Sequence, residues 1–138
     1  MNVIDTKTRI AFAVGDLDQA RAFFQDVLGA EFDSVQDVEE FQFKYQPFRL
    51  GGTNMQLMCP YDPSSVVSHF LMKRGQGFHH VTIVVEDVDE AVRELEAKGV
   101  GVASRHRYRE PLEGSSWKDA FIHPRDAFGV LVQLIQKV

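Results

Sequence analysis

A chain of 138 residues and 15.7 kDa is the size of one domain and buries roughly two thirds of the surface its unfolded form exposes, enough for a core without staples. Hydrophobic residues make up 44% and charged residues 25%, with 11 Phe to supply large core pieces; this excludes disordered and fibrous classes. Fifteen Lys and Arg against 20 Asp and Glu give a net charge of -5, which excludes a broad electrostatic grip on nucleic acid or anionic membrane. The single Cys59 cannot close an internal disulfide, and neither an apolar signal core over Met1 to Arg9 nor an apolar run of about 18 residues is present. The expected location is the cytoplasm.

In chain order, Ile10 to Val14 reads as a short strand of branched and aromatic residues. Asp16 then caps a helix, with Gln19 three residues on as capping-box partner. Leu17, Ala20, Phe23, Phe24, Val27 and Leu28 recur at helical spacing, and Gly29 suits the left-handed stop. Phe41, Phe43 and Tyr45 alternate with Gln42, Lys44 and Gln46 as in a half-buried strand, and Asn54 to Met58 forms another. Pro60 and Pro63 punctuate a linker in which Val67, Phe70 and Leu71 mark a helix over Ser64 to Arg74, ended by Gly75. Val81 to Val85 is a strand, and Asp87 caps a helix striped by Val88, Ala91, Val92 and Leu95 that Gly99 ends. Val100 to Ser104, a loop through Gly114, then Lys118 to Ile122 and Val130 to Ile135 complete the chain.

This order contains an internal repeat. Arg9 to Ala20 aligns with His80 to Ala91 at an offset of 80 - 9 = 71, apolar and acidic positions coinciding. Gly52 to Met58 aligns with Gly129 to Ile135 at 129 - 52 = 77. Two copies in so short a chain predict two modules sharing one core: module one over about 6-59, a linker helix over about 60-76, and module two over about 77-138. Each alone would leave an apolar sheet face wet.

Period-two alternation selects the candidate site. With Ile10, Phe12 and Val14 on the helix side, Arg9, Ala11 and Ala13 face the other way, and by the repeat so do His80, Thr82 and Val84. Gln56 and Gln133 occupy matching places in otherwise apolar strands, where an amide is costly unless it is bonded. A pseudo-twofold axis between the modules gathers Arg9, Gln56, His80 and Gln133 around one cavity. His79 and His80, being adjacent, are expected to face opposite ways, so that only one serves the cavity.

These residues resemble the vicinal oxygen chelate superfamily of glyoxalases, methylmalonyl-CoA epimerases, ring-cleaving dioxygenases and bleomycin-resistance proteins. The likeness is nearest to the epimerase branch, through Phe70 to Val81, Glu86 to Asp89, Phe121 to Pro124 and Gly129 to Leu134. It implies an α+β fold of two paired βαβββ modules curved into a cup-shaped mixed sheet, commonly continued across a homodimer. It also implies a divalent metal held by His, Gln or Glu, His and Glu, at positions that match Arg9, Gln56, His80 and Gln133. Only the second and third of these are kept. A catalytic Glu of the family falls near Glu40, and His123 matches a position lining the family pocket.

One imidazole and two neutral amides are weak ligands for a divalent ion, and Arg9 puts a permanent cation in their midst. We therefore expect no metal or other cofactor; were a metal bound, Gln56, His80 and Gln133 would hold it. Arg9 either takes the metal's place, pairing with a carboxylate or an enolate-like oxyanion, or pairs with an acidic side chain at the strand start. His123 either contacts ligand or is held by local hydrogen bonds, and Trp117 either covers the cup or packs on the core. Arg105, Arg107 and Arg109 alternate along an extended segment, meeting anions or forming a solvated edge. Two functions remain. One is epimerase- or isomerase-like proton transfer on a small carboxylate or acyl thioester, with Arg9 polarising the carbonyl and His80 or Glu40 moving the proton. The other is a non-catalytic protein that sequesters a small-molecule ligand.

Overall fold

A computed structural model describes residues 1–109 and 114–138. Its elements are β1 (Arg9–Ala13), α1 (Leu17–Ala22), β2 (Glu31–Phe32), β3 (Gln36–Val38), β4 (Phe43–Leu50), β5 (Thr53–Pro60), α2 (Val66–Arg74), β6 (Gly77–Val84), α3 (Val88–Ala97), β7 (Val102–Arg109), β8 (Ser116–Ile122) and β9 (Val132–Lys137). Among the described residues the strands form one mixed sheet in the order β2-β4-β5-β1-β6-β9-β8-β7, with β3 also on β4.

The repeat is visible in this order. β1 runs parallel to β5, and β6 runs parallel to β9, so each unit closes its first strand on its last. β1 and β6 meet antiparallel at the centre, which is what a twofold relation between the units requires. Both helix starts use the same cap: Asp16 accepts from the Gln19 amide at 2.9 Å and Asp87 from the Glu90 amide at 3.0 Å, each satisfying an orphan N–H. Gly29 and Gly99 have φ of 76° and 78°, the left-handed conformation that ends each helix at little steric cost.

The convex face of the sheet carries two cores. Val14, Ala30, Phe48 and Leu57 pack with Leu17, Ala20 and Phe24 under α1, and Val85, Ala91, Val92 and Leu134 pack under α3. The other face is lined at its centre by Ala11 and Ala13, both fully buried. Their small side chains let α2 lie across β1 and β5, with Val67 in that core and Phe70 and Leu71 against it. No helix among the described residues is long and apolar enough to cross a membrane.

Three local expectations are corrected. After Ala22 the first helix widens into a π-helical turn over Phe23–Val27. That changes the phase of the stripe, leaving Phe23, Val27 and Leu28 exposed while Phe24 stays on the core. Phe41 lies in a 3-10 turn, Glu39–Phe41, that ends on left-handed Gln42, so β4 begins only at Phe43. Much of the segment expected as a loop before Gly114 is strand: β7 runs on to Arg109, paired with β8. β7 is the edge of the sheet, with Arg105, Arg107 and Arg109 exposed along it. Arg105 pairs with Asp89 on α3, so this row is the solvated edge.

Candidate active site

The concave face of the sheet bounds a cup of about 740 Å³, part of it open to solvent, that Arg9, Gln56, His80 and Gln133 all line. Register explains why they meet. Ala11 lies opposite Gln56 on β5 and opposite His80 on β6, Arg9 opposite Thr82, and Thr82 opposite Gln133 on β9. Polar side chains on four adjacent central strands therefore point one way. Phe41, Phe43, Tyr45, Met58, Tyr108 and Phe121 complete walls that are mainly aromatic.

His79 lines the cup as well as His80, against the expectation of opposite faces. The pairing of β1 and β6 shifts register between Ala11 and Phe12: Ala11 faces His80, yet Phe12 faces Phe78. His79 is thus the extra residue of a β-bulge, which breaks the alternation locally. The two rings stand with their Nδ1 atoms 2.8 Å apart.

A chain of hydrogen bonds extends from this pair through the second unit. His80 Nε2 lies 2.9 Å from Thr82 Oγ1, Thr82 Oγ1 donates to Gln133 Oε1 at 2.8 Å, and Gln133 Nε2 donates to Asp119 Oδ2 at 2.9 Å. The other Asp119 oxygen lies 2.9 Å from His106 Nδ1. The carboxylate only accepts, so every donor direction follows from it. Gln133 must present its NH₂ to Asp119 and its oxygen to Thr82. The Thr82 hydroxyl proton is spent on Gln133, so His80 donates from Nε2. His80 Nδ1 is then bare and accepts from His79 Nδ1–H, while the His106 nitrogen that faces Asp119, Nδ1, carries a proton. Six side chains share five bonds with no conflict.

Burial is the leading cause of the perturbed imidazoles. It pushes His80 down to about 3, helped by His79 and Arg9, and takes His79 down to about 4, helped by Arg74. Neutral rings therefore belong to the folded state. Two polar atoms of the cup are buried without a partner among the described residues, Arg9 Nε and Gln56 Oε1. Buried polar groups are normally paired, so a donor and an acceptor stand ready for a ligand.

The four ligand positions implied by the resemblance offer few donor atoms to a divalent metal as they stand. Arg9 has no lone pair to give, both ring nitrogens of His80 are in hydrogen bonds, and both ends of the Gln133 amide are engaged. That leaves the lone amide of Gln56. Among the described residues no group of three or more His, Cys, Asp or Glu side chains could hold a metal ion.

Of the other expected residues, Glu40 is exposed on the 3-10 turn and does not line the cup, although its neighbour Phe41 does. His123 caps the turn Pro124–Ala127 by accepting from the Arg125 amide at 3.3 Å; it is held locally and does not line the cup. Trp117 lines a second groove, alongside Lys7, Arg49 and Lys137, that shares Arg9 with the cup; it is not among the residues that line the cup itself. His80 lines the cup, but with both nitrogens bonded it has no free lone pair with which to move a proton. The sequence reading passed over His106 and Asp119. His106 alternates with the arginines of β7 and so faces inward, and Asp119, next to Lys118 and the apolar run Ala120 to Ile122, is 3% exposed. Only the first signal lies in the sequence.

A cup-shaped mixed sheet of two similar units, β1 to β5 with α1 and β6 to β9 with α3, with its polar residues at the centre defines a class. A family model described as the glyoxalase/bleomycin resistance protein/dioxygenase superfamily matches residues 8–121, and the chain belongs to that family. Within it, the mitochondrial methylmalonyl-CoA epimerase of Bos taurus is 38% identical over 129 residues, 92% of this chain and 71% of the relative. The crystal structure of methylmalonyl-CoA epimerase from Mycobacterium tuberculosis is 32% identical with a TM-score of 0.80, covering 94% of this chain and 86% of that one. A variant of the Streptomyces coelicolor methylmalonyl-CoA epimerase, in complex with 2-nitronate-propionyl-CoA, is 29% identical with a TM-score of 0.80, covering 99% and 97%.

Proposed function

We propose that this protein is an epimerase- or isomerase-like enzyme that removes and returns the proton on the α-carbon of an acyl thioester, and that it does so without a divalent metal. The observation that carries this reading is Arg9, a guanidinium with an unpaired buried N–H in a cup walled by aromatic rings. An α-proton leaves only if the charge arriving on the carbonyl oxygen is stabilised. A fixed cation in a poorly hydrated site does this far better than the same cation in water. Arg9 binds the thioester oxygen in the ground state and strengthens that contact as the oxygen becomes an enolate. Gln56 Oε1 accepts a donor from substrate or from a bound water. The similarity to epimerases of acyl-CoA substrates supports the thioester.

The test is deuterium incorporation at the α-carbon of methylmalonyl-CoA and other 2-substituted acyl-CoAs in D₂O with a strong chelator present, read by mass spectrometry. Exchange that the chelator leaves unchanged is expected. Exchange that the chelator abolishes and added cobalt or zinc restores would overturn the metal-free part. A second reading, sequestration of a flat ligand, is favoured by the aromatic walls of Phe41, Phe43, Tyr45, Tyr108 and Phe121. It would be established by tight binding of an aromatic ligand with no exchange on any thioester.

A further inference from the structure

We infer that His106, held by Asp119, is the group that takes the α-proton. The inference rests on the reading of the cup as a proton-transfer site. Proton abstraction needs a lone pair facing the substrate, fixed in direction and backed by something that offsets the charge it acquires. His79 and His80 are poor candidates. His80 has both nitrogens bonded, and His79 spends its Nδ1 proton on His80 with no carboxylate behind it. His106 is placed differently. Its ring lines the cup between Phe41 and Phe121, with centroids 5.2 and 6.1 Å away, both edge-on. These contacts and the bond to Asp119 hold its plane. With Nδ1–H committed to Asp119 Oδ1, the neutral ring keeps its lone pair on Nε2, which has no partner among the described residues.

Asp119 is the positioning residue. It is nearly fully buried, and Gln133 fills its second oxygen, so it can neither rotate away from His106 nor swap oxygens without losing a bond. The rest of the network secures Gln133 from behind through Thr82 and His80. In the reaction the α C–H bond breaks and its proton goes to His106 Nε2. The bonding pair forms the C=C bond of the enolate, and the carbonyl pair moves to the oxygen beside Arg9. The imidazolium is offset by the Asp119 carboxylate. Return of a proton from Nε2 to the face it left re-forms the C–H bond with retention, which is the exchange read below, and inversion follows when the planar enolate turns its other face to Nε2 or takes a water proton there, so no oxidant or co-reactant is needed.

Two variants and one spectrum test this. His106→Gln should lower the deuterium exchange rate by at least about a hundredfold while leaving the melting temperature close to wild type. Asp119→Asn supplies a single acceptor oxygen for two donors, Gln133 Nε2 and His106 Nδ1. With the Gln133 amide held in place by the Thr82 hydroxyl, the Asn oxygen takes the Gln133 Nε2–H and its NH₂ faces His106 Nδ1, so the ring moves its proton to Nε2 and exchange should fall at least about tenfold. Nitrogen-15 NMR of the imidazoles reads that tautomer change without any substrate: Nδ1–H in wild type, Nε2–H in Asp119→Asn. Wild-type exchange that survives His106→Gln, or a wild-type His106 protonated on Nε2 alone, would overturn this inference and leave the proposed function standing. Absence of exchange in the wild type on every thioester would overturn the proposed function and this inference with it.

Discussion

The two halves of the cup share one pattern of strand pairing and differ in chemistry. Gln56 and Gln133 are equivalent by the repeat, and each faces its neighbouring strand in register: Pro47 lies opposite Gln56, and Phe121 opposite Gln133. Counting two residues back along β4 and β8 makes Tyr45 the counterpart of Asp119. In the first unit, Tyr45 and Gln56 are set among Phe41, Phe43 and Met58, and Gln56 Oε1 and Arg9 Nε are left unpaired. In the second unit, His80, Thr82, Gln133, Asp119 and His106 are bonded in series. The two units thus divide two tasks: one half keeps loose polar atoms that a ligand can satisfy, and the other fixes its polar atoms against one another. The difference teaches that a pseudo-twofold frame sets positions and leaves the chemistry at each position free to diverge.

The largest expected effect comes from removing the cation of the first half. Arg9→Ala should slow exchange by about a hundredfold or more, the scale of losing one transition-state donor, with the fold kept because among the described residues Arg9 has no ion pair to lose. A calorimetric melt beside the exchange assay checks both parts. Acid should act next, and on the second half. In the unfolded chain the two imidazoles take up protons near 6.5, whereas in the folded protein they do so only near 4 and 3. The unfolded state therefore binds more protons as pH falls below about 6.5, and stability held above that pH is lost progressively, by on the order of a few kcal/mol by pH 4. Urea midpoints at pH 7.5, 6 and 4.5 should fall in that order, and His79→Phe, which keeps the edge contact with Phe70, should flatten the trend.

A smaller effect follows from cutting the network at its middle. Thr82→Val is nearly isosteric but strands His80 Nε2–H and Gln133 Oε1, and should destabilise by about 1–3 kcal/mol. Thr82→Ser restores the hydroxyl and should recover most of that loss in the same urea titration. The smallest effect belongs to the outer row of β7. Arg105 shares Asp89 with Lys118 at a half-exposed site, so Arg105→Ala should change stability by less than about 0.5 kcal/mol, measurable as an almost unmoved melting temperature.

Much of this arrangement was legible in the sequence, because a repeat reports symmetry and strand alternation reports facing. Arg9, Gln56, His80 and Gln133 met as that logic requires, and the caps at Asp16 and Asp87 closed as their spacing predicts. The alternation failed where the backbone left the regular pleat. A bulge at His79 brought two adjacent rings to one side, and the 3-10 turn that ends on left-handed Gln42 leaves Glu40 exposed, outside the lining of the cup. His106 stood within a run of arginines whose outward side drew the reading, although the same period puts His106 and Tyr108 inward. Asp119 gave a weaker signal: its strand also holds Ser116 and Lys118, so a carboxylate there reads as exposed, and only its burial shows that it needs the two partners it has.

The most direct measurement is a crystal structure of the protein with a nitronate analogue of an acyl-CoA, whose nitro oxygens imitate the enolate. The account predicts an analogue oxygen within hydrogen-bonding distance of the Arg9 guanidinium and the analogue's α-carbon in van der Waals contact with His106 Nε2, with His79, His80, Thr82 and Gln133 unmoved. An analogue whose oxygens instead chelate a metal ion between Gln56 and His80, with the Thr82 and Gln133 bonds broken to free those ligands, would contradict it.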